Sequence, residues 1–288
     1  MSNEVSVAKK KVPFSAFMTS NTITNKVNQI IGDEGSGKRF ISGIISAVSV
    51  NPSLAECDNQ TILSGALLGE SLNLSPSPQL GLYYLVPFKD KERGMVATFQ
   101  LGWKGYYQLA LRSGYYKKLN VIEIKEGEFI SWNPLEEELK VNIVEDEEKR
   151  EKLPTVGYYC FYEYLNGFRK AMYWTKKKME NHAKQYSQGY RGDLTKGTKY
   201  TFWSKDFDSM AKKTMLRQLI SKYGIMSTEL EKAFTNDMSL IKEDGSNEYV
   251  DKQPDFDKKI AIDVETGEMK ENVSRETSEE IKGLDDFD

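Results

Sequence analysis

Asn166-Gly167 is the strongest local constraint in this chain, set between residues 156–164 and 168–174, which are rich in Tyr, Phe and Val. An Asn-Gly pair accepts the two positive φ angles of a tight hairpin turn whose twist matches its flanking strands. The middle of the chain is therefore built around an antiparallel hairpin. Related patterns lie upstream. Residues 82–88 and 95–101 flank a charged turn at 89–94, residues 120–125 and 128–132 flank Glu126-Gly127, and 139–144 is a further strand candidate. Each pair reads as a hairpin, with 145–151 a charged loop.

Helical periodicity brackets these strands. Residues 14–74 are mostly helical, with one helix over 38–50 and another over 58–71, and Ser75-Pro76-Ser77-Pro78 breaks the pattern. A helix over 102–112 stops at Gly114. Thr175 caps a helix over 176–185, residues 187–200 read as a Gly-rich basic loop, and a long helix over 204–223 ends at Gly224. Beyond 236 the periodicity fades, and 237–288 is expected to be a largely disordered acidic tail. The expected division is an N-terminal segment 1–37, partly flexible and making subunit contacts, a core 38–230, and an acidic tail 231–288.

The net charge of −3 conceals a strong asymmetry. Residues 152–223 hold 15 Lys/Arg against five Asp/Glu, and residues 229–288 hold 19 Asp/Glu against eight Lys/Arg. A basic body with an acidic appendage points to a polyanionic partner. The body is also aromatic: residues 83–223 carry 26 of the 33 Phe, Trp and Tyr, interleaved with Lys and Arg. Examples are Trp103-Lys104-Gly105-Tyr106-Tyr107, Arg112 through Lys117-Lys118, and Tyr190-Arg191. Single-stranded nucleic acid needs both residue types, cations for phosphates and flat rings for unpaired bases.

Several chemistries find little support. Cys57, Cys160 and the lone His182 have no zinc-site spacing, so no metal or cofactor is expected. Gly32-Asp33-Glu34-Gly35-Ser36-Gly37-Lys38 fits part of a phosphate-binding loop, but Arg39 stands where a magnesium-holding Ser or Thr belongs. The segment is expected to be a glycine-rich connector between helices. Carboxylates in the body lack nuclease-like spacing, so no catalytic residue is assigned. No apolar run spans a membrane and no signal core follows the N-terminus, so a cytoplasmic protein is expected.

Two helices refine the binding reading. In the helix over 204–223, Asp206, Lys213 and Arg217 share a narrow face, whereas Lys212 falls within the apolar arc. Lys176-Lys177-Lys178 opens the helix after the Asn-Gly hairpin, where free amides also favour anions.

Several separated blocks resemble one known family. These are Leu85-Val86-Pro87-Phe88, Phe99 to Tyr106, Leu109 to Gly114, Phe202-Trp203, and Asp206 to Arg217, with Asn51-Pro52-Ser53-Leu54 upstream. Over residues 40–225 they resemble the phage RecT family of single-strand annealing proteins. The resemblance implies an α+β fold, an antiparallel β-hairpin sheet with a long helix packed across it, similar to the core of eukaryotic ring-forming annealing proteins. It implies a homo-oligomer, a ring or helical filament, that binds single-stranded DNA and an annealed duplex intermediate, pairs strands without ATP, and works beside a phage exonuclease and the host single-strand binding protein in a bacterial host cell. Carried onto this sequence, it favours Trp103, Lys104, Arg112, Lys212, Lys213 and Arg217 as groove residues. The residue-level reading adds Tyr107, Lys117, Lys118, Lys176, Lys178, Arg191 and Lys205. The alternative is a protein that protects single-stranded DNA without annealing it.

Overall fold

The computed structural model describes residues 11–249, with the backbone of 260–262 and 269–271. Five helices open the described chain: α1 (Phe14–Met18), α2 (Asn21–Ile31), α3 (Glu34–Ser49), α4 (Pro52–Ala55) and α5 (Asn59–Ser71). Gly32, at φ 92°, ends α2 in the left-handed conformation a glycine adopts without strain, and Asp33 accepts the Ser36 N–H at 2.7 Å to cap α3. The Gly32–Lys38 segment thus follows a helix, and most of it is the first turn of α3 rather than a connector. Gly37 is required by packing, because a Cβ there would lie 1.9 Å from the Asn28 side-chain oxygen on α2.

β1 (Tyr83–Asp90) and β2 (Gly94–Leu101) form the expected hairpin, followed by α6 (Trp103–Arg112). Tyr83 and Leu85 point inward onto α5, whose Gly65 and Gly69 let the helix sit close: a Cβ at Gly69 would meet the Tyr83 ring at 2.4 Å. Tyr84, Val86 and Phe88 alternate to the other face, as the period of a strand requires.

Next come β3 (Tyr116–Lys125), β4 (Phe129–Asn133), β5 (Glu138–Val141), α7 (Glu147–Lys152), β6 (Thr155–Tyr164) and β7 (Arg169–Thr175). The Asn166-Gly167 hairpin joins β6 to β7 as expected. The hairpin expected around Glu126-Gly127 does not form. β3 pairs antiparallel with β6, giving a sheet of order β3-β6-β7, and β4 pairs with β5. Glu128 supplies the reason. Its buried carboxylate accepts from Lys125 N (2.8 Å), Val144 N (3.1 Å) and Arg150 Nε (2.5 Å), closing the base of an excursion. The excursion then lays Phe129 and Trp132 on the rings of Tyr173 and Tyr159, over the outer sheet face. Its charged return is a short helix, α7, not a loop.

Then follow α8 (Lys176–Tyr186), α9 (Gln188–Lys196), α10 (Phe202–Lys205), α11 (Phe207–Tyr223), α12 (Thr228–Asn236), β8 (Ser239–Ile241) and β9 (Asn247–Tyr249). Thr175 caps α8 as anticipated. The loop expected over 187–200 is mostly α9, capped by Ser187 and stopped by Gly197 at φ 67°. The single long helix expected over 204–223 breaks at Asp206, which accepts the Ser209 N–H at 3.1 Å and starts α11 afresh. α11 crosses the inner face of β3-β6-β7, fastened by Asp208 to the Tyr158 hydroxyl (2.5 Å), and packs on α6. This is the helix-across-sheet, α+β arrangement expected.

The acidic tail does not begin where the sequence suggests. β8 extends the first hairpin to a sheet of order β1-β2-β8-β9, and Leu240 and Ile241 are buried. Boundaries drawn at 37/38 and 230/231 fall inside α3 and α12. Phe14, Met18 and Val27 of the N-terminal helices share the main core. The rest of the expected tail, and residues 1–10, lie outside the described residues, apart from a short antiparallel pair, β10 (Ile260–Ile262) and β11 (Met269–Glu271).

Candidate nucleic-acid interface

A cleft of about 1430 Å³ opens against the first sheet, its lining reaching from β1 across to Leu240, Glu248 and Tyr249. One wall is β1 and its turn, with Tyr84, Phe88, Lys89, Lys91 and Arg93; the opposite wall runs from α9 through α10, with Lys196, Tyr200, Phe202 and Lys205; Asn51 to Leu54 close one end. β1 is an edge strand, and Pro87 within it has no N–H to offer a neighbour, which suits an edge left open. Lys89, Lys91, Lys196 and Lys205 are exposed, and no carboxylate of the described residues pairs with any of them. Arg93 is shared with Glu248 at 3.1 Å.

The aromatic wall is held by a buried acid. Asp193 on α9 accepts from Thr198 Oγ1 (2.6 Å), Tyr200 N (3.1 Å), Thr201 N (2.8 Å), Thr201 Oγ1 (2.8 Å) and Ser204 Oγ (2.7 Å). The Thr198 hydroxyl first, then these other donors, hold its carboxyl well below the usual carboxylate range. Trp203 anchors the same stretch inward, its ring 5.1 Å from that of Phe207. Fixed at both points, the loop presents Tyr200, 79% exposed, and Phe202, whose ring centroid is 5.3 Å from that of Tyr84. Rings held at a rim between unpaired lysines can stack on bases while the lysines meet phosphates.

Of the residues singled out from the sequence, Lys205 lines this cleft. Lys104 stands beside it, its stem and the Tyr84 hydroxyl both flanking Gly81. Trp103 is half-buried, with Lys212 Nζ 5.0 Å from its ring centroid; Lys212 also pairs with Glu123 at 2.7 Å. Lys213 and Arg217 require correction as groove residues. Both are buried, and they grip Asp237 at 2.9 and 2.6 Å inside the core. The narrow helical face they share is covered by Tyr106 of α6 and by Asp237 after α12.

The others are dispersed. Arg112 donates to Leu72 O (2.6 Å) and Asn73 O (3.2 Å), and Arg191 to Lys184 O and Gln185 O at the end of α8. Tyr107 donates to Leu119 O at 2.7 Å. Lys117 pairs with Glu163 at 2.6 Å, and with Lys118 it sits at the Tyr116 end of β3, on the other sheet. Lys176 and Lys178 open α8, where Lys178 lies over Trp174 at 4.4 Å. Sequence reasoning missed Lys89, Lys91, Lys196, Tyr84, Tyr200 and Phe202. Lys89 and Lys91 were legible only as a charged hairpin turn, and nothing local says that this turn faces α9.

Among the described residues no group of three or more His, Cys, Asp or Glu could hold a metal ion, and no helix is long and apolar enough to cross a membrane.

Comparison with known proteins agrees with the fold and its ordered blocks. The RecT family model matches residues 38–253. The chain is 34% identical to the uncharacterised protein YqaK of Bacillus subtilis (strain 168), over 98% of this chain and 92% of that protein. It is 25% identical to protein RecT of Escherichia coli (strain K12), over 82% of this chain and 84% of that protein. The family match runs from within α3 through β9, so it takes in the cleft as well as most of the buried core; the chain belongs to the RecT family.

Proposed function

We propose that this chain binds single-stranded DNA along the cleft between the β1 hairpin and α9–α10 and anneals it to a complementary strand without ATP. Membership of the RecT family supports a single-strand annealing role in recombination. The observation that carries the site is the pairing of exposed rings, Tyr200 and Phe202, with four lysines that have no carboxylate partner among the described residues, on two walls of one cleft. In this reading Lys89, Lys91, Lys196 and Lys205 hold the phosphates of the first strand, and Lys104 extends the track. The aromatic rim spaces or unstacks its bases and leaves their pairing edges open. The second strand is selected by base pairing, so the protein needs no base-edge code. Several copies on one strand form a continuous track.

The test mixes two complementary labelled strands with protein and no ATP. Annealing predicts faster duplex formation than in buffer, and Lys196→Ala/Lys205→Ala slows it. If the protein slows pairing while still binding each strand, it protects DNA rather than annealing it.

A further inference from the structure

Four carboxylates line the cleft: Glu56, Asp90, Glu92 and Glu248. Asp90 is engaged in the β1–β2 turn, where it accepts from the backbone N–H groups of Glu92 (2.9 Å) and Arg93 (2.8 Å). Glu248 meets side-chain cations instead. Its Oε2 accepts from Arg93 Nη2 at 3.1 Å and lies 3.2 Å from Lys242 Nζ. Among the described residues, none of the other three carboxylates forms an ion pair.

The backbone aims Glu248 into the cleft. It is the middle residue of β9, and its neighbours Asn247 and Tyr249 both donate from their side chains to Thr235 O on α12, at 2.5 Å each. Alternation along the strand turns the residue between them to the other face. There Glu248 stands opposite Leu240, which lines the cleft with it. Lys242 first, then Arg93, hold its carboxyl below the usual carboxylate range, so it is ionised at neutral pH. The Arg93 and Glu248 side chains are 42% and 45% exposed, and an ion pair so open to water is weak enough to exchange partners.

Arg93 belongs to the same wall as Lys89 and Lys91, but it carries an anion that they lack. A guanidinium takes a carboxylate or a phosphodiester with the same N–H donors, and each of those anions bears one negative charge. We propose that Glu248 is a resident anion in a phosphate subsite of the cleft: it occupies Arg93 and so limits how tightly the cleft holds a single strand. An annealing protein has to release what it has paired, and each cation withheld from the backbone weakens the electrostatic part of its grip. The inference rests on the reading that DNA lies in this cleft, and it names the residue that moderates affinity there.

Binding of a labelled oligothymidylate is measured against salt for the wild type, Glu248→Gln, Arg93→Ala and Arg93→Ala/Glu248→Gln, with the folded state of each checked by circular dichroism. Glu248→Gln keeps the shape of the side chain and removes its charge. It is expected to bind several-fold more tightly than wild type, and its slope of log affinity against log salt should steepen by about 0.7, one added phosphate contact. In the Arg93→Ala background the same substitution is expected to give no comparable gain and no change of slope. A gain that persists without Arg93 overturns the proposal, because it would come from removing negative charge from the cleft at large. Lys196→Ala/Lys205→Ala, titrated alongside, separates this inference from the reading beneath it. If that variant binds more weakly while Glu248→Gln binds as wild type does, the cleft stands and the role of Glu248 falls. If that variant binds as tightly as wild type, the strand lies elsewhere and both fall.

Discussion

Asp237 shows what a single residue does in this molecule. Read along the chain it is the first acid of a tail. In the fold it is buried, and it accepts from Lys213, Arg217, the Tyr106 hydroxyl (2.7 Å) and Leu101 N (2.8 Å). Burial alone would raise its carboxyl pKa, but Lys213 and Arg217 outweigh that and hold it below the usual range. Asp237→Ala strands two buried cations, and we expect it to cost about 3–5 kcal/mol in unfolding free energy. Denaturant titration checks this. A loss near zero would mean that the segment after α12 does not seal the core. His182 gives a pH prediction. Burial, aided first by Lys222, pushes its imidazole down to about 4, against an ordinary 6.5. Between those values the unfolded chain binds the proton and the folded one does not, so stability falls as pH drops from about 6.5 to about 4. His182→Gln should flatten that part of the curve of melting temperature against pH. An unchanged slope would show that His182 takes up its proton alike in the folded and the unfolded chain.

At the scale of elements, the α9–α10 connection is ordered by hydrogen bonds to one carboxylate rather than by a long helix. Asp193→Ala removes acceptors for five donors and should free Tyr200 and Phe202 while leaving the sheets intact. Its expected signature is weaker single-strand binding, several-fold or more, with a smaller change in the global melting transition. Equal affinity of variant and wild type would show that the aromatic rim does not bear on DNA. Glu128 does the comparable work for the β4–β5 excursion, and it explains why a turn at Glu126-Gly127 did not make a hairpin. The sequence fixes a reversal there, since Gly127 sits at φ 83°. It does not say which strand comes alongside. β3 found β6, more than 30 residues away, and β4 was drawn off to β5.

For the whole molecule the test is salt. If the cleft lysines neutralise phosphates, log affinity falls linearly with log salt, by roughly 0.7 per phosphate contact on a single strand. Removing Lys89 and Lys91 together should then reduce the slope by about 1.4, whereas Lys117→Ala, on the other sheet, should leave it unchanged. A slope indifferent to Lys89 and Lys91 would place the DNA elsewhere. What the sequence alone determined was local or serial: the Asn166-Gly167 hairpin, the cap at Thr175, the β1-β2 hairpin, and the ordered blocks that carry the family. Each depends on residues within a few positions of one another, or on their order. Only the tertiary structure decided the site. Lys213 and Arg217 lie on the same helix as Lys212 and look like good groove cations, yet they turn inward onto Asp237. Lys89 and Lys196, which belong to unrelated segments, come to face one cleft. Whether a charge meets solvent or a buried partner depends on which distant segment covers its face, and helical spacing carries no information about that.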